Sequence, residues 1–280
     1  MKKENGAILA HQDEFFMNSP EGRDIRVLAE FMAPANRFKA HKIKNTLVFF
    51  GSARTLSVED CAQKLAAAQK VGNEKEIRRL TGLQKVAKSY DNARELAKRL
   101  SVWSESQPES YSICTGGGPG IMEAGNRGAH DVCATNVGLN IELPFEQYPN
   151  PYITPELSLN FNYFFVRKYW FLYMAKALVA FPGGYGTLDE LFETLTLIQT
   201  KKILKPIPIV LFDEDFWKKL INLEYLAETS MIDPDDLKLI KYCNTVDEAF
   251  VYITEALIAN REYFKNLRES HSKAQLLFER

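Results

Sequence analysis

Short, continuous apolar runs alternate along most of this chain with segments in which apolar residues recur every three or four positions. The runs predict buried strands, and the periodic segments predict amphipathic helices. The predicted strands are 46–50, 111–115, 136–141, 178–181, 206–212 and a short one near Cys243. Regular alternation of such strands with helices is typical of a parallel sheet covered on both faces. We therefore predict an α/β, Rossmann-like fold.

The same pattern divides the chain into three parts. Helices are predicted at 121–130, 164–177, 187–200, 215–229 and 246 to about 263, and one long or two consecutive helices over 57–101, with at least one break near Gly72 or Gly82. Ser19-Pro20-Glu21 starts an earlier helix that Pro34 ends, and residues 144–158 predict a loop. We expect an N-terminal helical extension (1–44), an α/β domain (45–260) and a C-terminal helical tail (261–280).

Three glycine turns follow predicted strands, at residue 51, at 116–120 and at 183–186. In an open parallel sheet, ligands bind outside the carboxyl ends of the strands. Three turns that converge on this edge are stronger support for a binding site than any one of them. Each turn alone could also be a tight connection without a ligand.

Residues 182–190 read Pro-Gly-Gly-Tyr-Gly-Thr-Leu-Asp-Glu, after a buried apolar run. The glycines are expected to permit positive φ and close approach of backbone amides, and Thr187 to cap the next helix. A helix N-terminus carries roughly +0.5 charge, which favours a phosphate. Glu190 is expected in the first helical turn, about a ribose away from that phosphate.

Other patterns narrow the chemistry. The turn at 116–120 matches neither Gly-x-Gly-x-x-Gly nor Gly-x-x-x-x-Gly-Lys-Ser/Thr, which disfavours a dinucleotide site and a P-loop; close helix–strand packing is its alternative explanation. The adjacent Arg167 and Lys168 lie in a strongly aromatic helix, where arginine offers a planar donor fork for phosphate or a purine edge. The aromatic residues suit a core or a subunit interface, and the two basic residues could also be ordinary surface charge.

Composition excludes several classes of function. The net charge is −1, so the chain as a whole attracts neither nucleic acid nor membrane. Four scattered cysteines and four histidines without ligand spacing predict reduced thiols and no metal site. The N-terminal residues lack the apolar run of a signal peptide, so we expect none, and no run approaches the ~18 apolar residues that a membrane span needs. We expect a cytoplasmic protein.

Taken together, these motifs resemble the Lonely Guy (LOG) family of nucleoside 5′-monophosphate phosphoribohydrolases, which are often mislabelled as lysine decarboxylases. The Pro-Gly-Gly-x-Gly-Thr-x-x-Glu motif is complete at 182–190, and the Arg-Lys end of the other motif stands at Arg167 and Lys168 without the usual Met-His-x before it. Residues 116–122 match Gly-Gly-Gly-x-Gly-x-Met, and Gly51-Ser52 matches the early turn. The resemblance covers about 45–255, and the extra segments resemble a longer bacterial subgroup.

The resemblance implies functions for individual residues. Arg167 and Glu190 match the catalytic pair. The residues implied in substrate binding are Gly183, Gly184, Tyr185, Gly186, Thr187, Asp189, Lys168, Glu146, Gly117, Gly118, Met122 and Ser52. The expected reaction releases a free purine base and ribose 5-phosphate from AMP or a cytokinin riboside 5′-monophosphate, without cofactor or metal. The expected partners are the small-molecule nucleotide and further copies of the chain, as a homodimer or higher homo-oligomer.

Two alternatives remain open. A nucleotide-binding or carrier protein of the same fold would share the phosphate turn without catalysis. A pyridoxal-phosphate decarboxylase would need a Schiff-base lysine, and the only His-Lys pair, His41-Lys42, lies in the N-terminal extension.

Overall fold

A single parallel sheet organises the chain. The computed structural model describes residues 8–144 and 148–278, with 263–278 as backbone only. The strands are β1 (Thr46–Phe50), β2 (Ser112–Thr115), β3 (Val137–Ile141), β4 (Ser158–Phe161), β5 (Ala175–Ala180), β6 (Ile209–Phe212) and β7 (Ile240–Cys243). Their order is β4-β3-β2-β1-β5-β6-β7, and every neighbouring pair is parallel. The α/β, Rossmann-like prediction is confirmed, and the strand order reverses direction between β1 and β5.

Helices cover both faces of this sheet. They are α1 (Glu14–Asn18), α2 (Arg23–Ala40), α3 (Val58–Lys70), α4 (Glu74–Gln84), α5 (Lys88–Glu105), α6 (Ile121–His130), α7 (Phe164–Met174), α8 (Tyr185–Gln199), α9 (Glu214–Leu220), α10 (Leu223–Glu228) and α11 (Val246–Phe278). Within the described ranges, none of them is both long and apolar enough to cross a lipid bilayer.

Alternate residues of β1 face the two halves of the core. Val48 and Phe50 pack with residues of α2, α7 and α8 on one face. Leu47 and Phe49 pack with residues of α5, α6 and α11 on the other. All five residues of β1 are buried. The central strands are therefore a rigid base for whatever their carboxyl ends carry.

The boundary between α7 and β5 differs from the sequence prediction. The helix predicted over 164–177 ends at Met174, and β5 begins at Ala175 without a loop. Ala175 and Ala177 pair with Thr46 and Leu47 of β1, so sheet pairing overrides the helical periodicity.

Several other predicted boundaries also move. Residues 58–105 form three helices rather than one or two: one break contains Gly72 at φ +68°, and the other follows Gln84, so Gly82 lies inside α4. The helix predicted over 215–229 is two, because Ile221 is extended and Asn222 caps α10. Strand β4 lies in and just beyond the predicted loop, and α11 continues past the predicted end near 263. The division at 44/45 and 260/261 stays a prediction.

The prediction that Pro34 ends the N-terminal helix is wrong, because Pro34 is buried inside α2. Proline has no backbone N–H, so the carbonyl of Glu30, four residues earlier, lacks its helical donor. The indole Nε1 of Trp170 on α7 donates to that carbonyl at 3.1 Å. The helix is thus continued through Pro34 by a hydrogen bond from a neighbouring element.

Candidate functional site

A cavity of about 650 Å³ opens at the carboxyl ends of β1 and β5, where the strand order reverses. This is the position at which open parallel sheets bind ligands. All three glycine turns line the cavity, through residues 51–54, Gly116 and residues 183–186. Its other lining residues are Phe50, Met122, Arg167, Phe171, Thr187, Leu188, Glu190 and Leu220. The convergence that the sequence predicted is therefore observed.

Backbone hydrogen bonds join the three turns to one another. The amide of Ser52 donates to the carbonyl of Pro182 at 3.0 Å, and the amide of Ile121 donates to the carbonyl of Ser52 at 3.1 Å. Ser52 therefore connects the turn after β1 with both of the others, and the wall of the cavity has little freedom to change shape.

The turn after β5 presents a helix N-terminus to the cavity. The amides of Thr187 and Leu188 donate to the carbonyl of Gly184 at 3.0 Å. In the described part of the chain, the amides of Gly184, Tyr185 and Gly186 have no backbone acceptor. These donors, together with the helix dipole of α8, make this end of the cavity suited to an anion.

Two local expectations for this turn are wrong, and the positive φ that its glycines permit is not adopted. Helix α8 starts at Tyr185 with Gly184 as its N-cap, so Thr187 does not cap it, and Glu190 lies in the second turn rather than the first. None of the glycines 183, 184 and 186 has positive φ. The start of the helix two residues earlier than predicted explains all of these differences, because it brings the glycines into or next to helical backbone.

The glycines in this turn are needed for space rather than for their φ angles. A Cβ on Gly183 would collide with the side chain of Thr187. A Cβ on Gly184 or Gly186 would meet no atom within 4 Å. Gly183 is thus required by packing, while the other two leave open room beside the amide donors.

Buried amides hold the second glycine turn. Gly117 and Gly120 have φ near +70° (+73° and +70°). The side-chain amide of Asn150 donates to the carbonyls of Gly117 and Gly118 at 3.0 and 3.1 Å, and to Asn126 Oδ1 at 2.9 Å. This network brings Gly116 and Met122 to the cavity. Gly117 and Gly118, which the resemblance implied in binding, are not among its lining residues.

Glu190 and Arg167 form a buried, incompletely paired set of charges. Glu190 is 4% exposed, and its Oε1 lies 3.9 Å from Arg167 Nη2, too far for a hydrogen bond. Both carboxylate oxygens, and Nε of Arg167, lack a hydrogen-bond partner among the described residues. The Arg167 guanidinium lies over the rings of Phe164 and Phe171, at 5.1 and 5.5 Å from their centroids.

Burial shifts the titration of both groups. It raises the pKa of Glu190 to about 7, against the charges of Lys168 and Arg167, which lower it. Burial also lowers the pKa of Arg167, although Glu190 and Asp189 act in the opposite direction. A carboxyl group with a pKa near neutrality, facing a cavity with open hydrogen-bonding capacity, is typical of a catalytic acid or base.

Lys168 and Asp189 are brought to each other rather than to the cavity. Lys168 Nζ lies 2.8 Å from Asp189 Oδ1 and 2.9 Å from Glu193 Oε2. Neither Lys168 nor Asp189 lines the cavity. Glu146 lies outside the described residues. The binding functions implied for these three residues remain predictions.

Arg54 is a lining residue that the sequence reasoning missed. It is exposed at the cavity, in the same turn as Ser52, whose hydroxyl accepts from the Arg54 amide at 3.0 Å. Arg54 and Arg167 are the basic side chains in the described lining, which contains no lysine. The one available signal was the position of Arg54 in the Gly-Ser turn that was already singled out.

Comparisons with known proteins find similarity over part of the chain. The sequence profile of a family described as "Possible lysine decarboxylase" matches residues 122–253. The rice (Oryza sativa subsp. japonica) "Probable cytokinin riboside 5′-monophosphate phosphoribohydrolase LOGL3" is 32% identical over 82 residues, 29% of this chain and 39% of that protein. The Arabidopsis thaliana protein of the same description, LOG6, is 32% identical over 79 residues, 28% of this chain and 39% of that protein. The chain thus spans about two fifths of the length of the curated relatives that it matches.

Solved structures are more distant. The molybdenum cofactor binding protein from the phototrophic bacterium Rippkaea orientalis is 14% identical, with a TM-score of 0.46 over 75% of this chain and 94% of that chain. Likeness at this level carries no functional argument.

The crowding at Gly183 leads to a stability prediction. Gly183→Ala forces its methyl group against Thr187, and we expect a loss of about 1–3 kcal/mol in the free energy of unfolding. Gly186→Ala, in open space within the same helix start, is the matched control and should leave stability unchanged or raise it by up to about 1 kcal/mol. Thermal unfolding compares the two variants. Equal melting temperatures for Gly183→Ala and wild type would contradict the packing explanation.

The raised pKa of Glu190 predicts a pH-dependent gain in stability for Glu190→Gln. The folded state favours the protonated acid, so ionisation opposes folding. This opposition is absent below the ordinary glutamate pKa of 4.5, grows as pH rises, and is complete above about 7. Relative to wild type, Glu190→Gln should therefore gain roughly 3 kcal/mol between pH 4.5 and pH 8. Denaturant unfolding at these two pH values measures it. A stability difference that does not change with pH would show that the carboxyl group titrates normally.

Proposed function

We propose, from its similarity to the Lonely Guy (LOG) family and from the geometry of the cavity, that this chain is a phosphoribohydrolase that cleaves the N-glycosidic bond of purine nucleoside 5′-monophosphates. Water is consumed, and the products are the free base and ribose 5-phosphate. The proposed substrates are AMP and cytokinin riboside 5′-monophosphates. The observation that carries the proposal is the buried, hydrogen-bond-deficient carboxylate of Glu190 in the same cavity as the open N-terminus of α8.

The 5′-phosphate is proposed to bind at the start of α8. The amides of Gly184, Tyr185 and Gly186 are available there, and the cation of Arg54 lines the same cavity. Binding energy gained at the phosphate is remote from the reacting bond, and it serves to orient the ribose for reaction.

The ribose and base are proposed to lie toward Glu190 and Arg167. Loss of the base leaves oxocarbenium-like positive charge on C1′, which an ionised carboxylate stabilises while it orients the attacking water. Both oxygens of Glu190 are free to do so, since no described group hydrogen-bonds to them. Arg167 holds Glu190 partly ionised near neutral pH and offers donors to the substrate. Apolar walls at Phe50, Phe171 and Leu188 exclude water around the base.

We also propose that the protein acts as a homodimer or higher homo-oligomer. Four aromatic side chains of α7 are 41–58% exposed: Phe164, Phe165, Tyr169 and Tyr173. Exposed aromatic residues clustered on one helix are typical of an interface between protein chains.

Glu190→Gln should retain nucleotide binding and lose at least about 100-fold in kcat, the usual size for removing one such group. Base release from AMP and from an N6-substituted AMP, followed by chromatography, measures the rate, and calorimetric titration measures binding. The control is wild type under the same conditions. If wild type binds the monophosphates but releases no base from any of them, the protein is a binding or carrier protein instead.

Arg54→Ala and Lys168→Ala test whether the cation that binds the phosphate is Arg54 or Lys168. Arg54→Ala should raise KM about tenfold or more with kcat nearly unchanged, because a uniform binding contact is lost. Lys168→Ala should leave KM nearly unchanged and move the acid limb of the rate to higher pH, since the charge of Lys168 lowers the pKa of Glu190. Steady-state kinetics between pH 5 and 9 test both variants. A large KM effect confined to Lys168→Ala would restore that residue as the phosphate ligand.

A further inference from the structure

The N-terminal helix α2 is joined to the start of α7 through the side chain of Glu30. Glu30 Oε1 accepts from the amide of Asn162 at 2.8 Å, and Oε2 accepts from the amide of Tyr163 at 3.2 Å. Tyr163 is the N-cap of α7, and its own side chain makes no cap hydrogen bond. A carboxylate 132 residues away in sequence therefore supplies both the cap and the negative charge that a helix N-terminus favours.

The main chain of Glu30 makes a second link to α7, farther along the helix. Pro34 leaves the Glu30 carbonyl without a helical donor, and Trp170 Nε1 donates to it at 3.1 Å. Beside it, the rings of Phe31 and Tyr169 meet edge to face at 5.2 Å. Glu30 thus holds the chain just before the first residue of α7 and holds the helix again in its second turn.

Arg167 lies between these two links. Its amide donates to the carbonyl of Tyr163 at 3.2 Å, so its backbone belongs to the turn that Glu30 caps. The guanidinium makes no short ion pair: it stands 3.9 Å from Glu190, and its Nε is unpartnered among the described residues. The position of its charge therefore depends on where α7 begins rather than on hydrogen bonds of its own.

We propose that Glu30 is a positioning residue for Arg167, and that the N-terminal extension is in this way part of the catalytic apparatus although it does not line the cavity. The inference rests on the proposed function, in which Arg167 acts on the substrate and on Glu190. Misplacing a reacting group by about 1 Å can reduce a rate about 100-fold.

The experiment compares Glu30→Ala and Glu30→Gln with Arg37→Ala in the full-length protein. Arg37 Nη1 donates to the carbonyls of Glu156 and Ser158 at 3.4 Å, so it fastens the same helix to the chain before and in β4. Among the described residues it makes no hydrogen bond to α7. We expect Glu30→Ala to lower kcat about tenfold or more with a smaller change in KM. Glu30→Gln keeps one acceptor and should lie between Glu30→Ala and wild type. Arg37→Ala should match wild type.

The pH dependence of kcat/KM distinguishes positioning from simple loosening. The charges that act on Glu190 are Arg167 and Lys168 from α7, and Asp189 and Glu193 from α8. Lys168 stays paired with Asp189 and Glu193 of α8, whereas Arg167 has only its 3.9 Å approach to Glu190. When α7 loses its cap, Arg167 should therefore move away from Glu190, and the acid limb of kcat/KM should move to higher pH in Glu30→Ala. The carboxyl ¹³C signal of Glu190, assigned by its absence in Glu190→Gln, reports the same shift without any substrate.

The outcomes are separable. Suppose that wild type releases base and that Glu30→Ala has the kcat, the acid limb and the Glu190 signal of wild type. This result overturns the positioning inference and leaves the proposed function standing. A loss of kcat in Arg37→Ala as large as that in Glu30→Ala has the same consequence. Absence of base release by wild type overturns the proposed function, and the Glu190 signal then decides whether Glu30 positions the pair. If Glu30→Ala does not fold, the same measurements on Glu30→Gln test the positioning inference. Its melting temperature shows whether that variant is folded.

Discussion

The site depends on the burial of a carboxylate beside an arginine that does not fully neutralise it. Glu190 is 4% exposed, yet neither of its oxygens has a hydrogen-bond partner in the described chain. Burying an ionised carboxylate costs desolvation free energy, and a close ion pair would offset part of that cost. At 3.9 Å the arginine relieves it only in part. The two unpaired oxygens of Glu190 are destabilising in themselves, and they can accept hydrogen bonds from a sugar hydroxyl or a water molecule.

This arrangement persists because both helices that carry the pair are fixed at their ends. Helix α8 follows β5 in the centre of the sheet, and Thr187 fills the space over Gly183. Helix α7 is capped by Glu30, and at its other end Lys205 Nζ donates to the carbonyls of Leu172 and Tyr173 at 2.6 and 2.8 Å. A strained functional site is kept in place when the surrounding structure leaves its groups no other position.

Sequence patterns predicted this architecture to an unequal degree. Strand β1 and helix α6 have the predicted bounds, since a short apolar run between polar segments and a Gly-Pro-Gly turn before a helix each allow few alternatives. Ala175 and Ala177 fit a helix and a strand equally well, so only their pairing with β1 decides between the two. Pro34 predicts a helix end from local sequence alone, because Trp170, which replaces the missing N–H donor to the Glu30 carbonyl, is remote in sequence.

For the site, the motif at 182–190 located the cavity but did not tell which side chains face it. Adjacent residues on a helix point in different directions, and this separates Arg167, in the cavity, from Lys168, paired outside it. For Arg54 the sequence offers only its place in the Gly-Ser turn after β1, and for Glu30 it offers no local signal, because the fold alone brings α2 to the start of α7.

Charge decides where an anion can bind on this protein. The chain as a whole has a net charge of −1, which gives no general attraction for a nucleotide. The described cavity lining instead carries two arginines and one acid whose pKa is about 7, together with the positive end of α8. Its local charge is therefore positive, and it is most positive when Glu190 is protonated. A phosphate dianion that enters would favour that protonated form still further, because like charges oppose ionisation. Arg54 and the α8 amides at the phosphate, and Arg167 beside the acid, offset this effect, so the acid can ionise in the loaded site only if these positive groups remain in position.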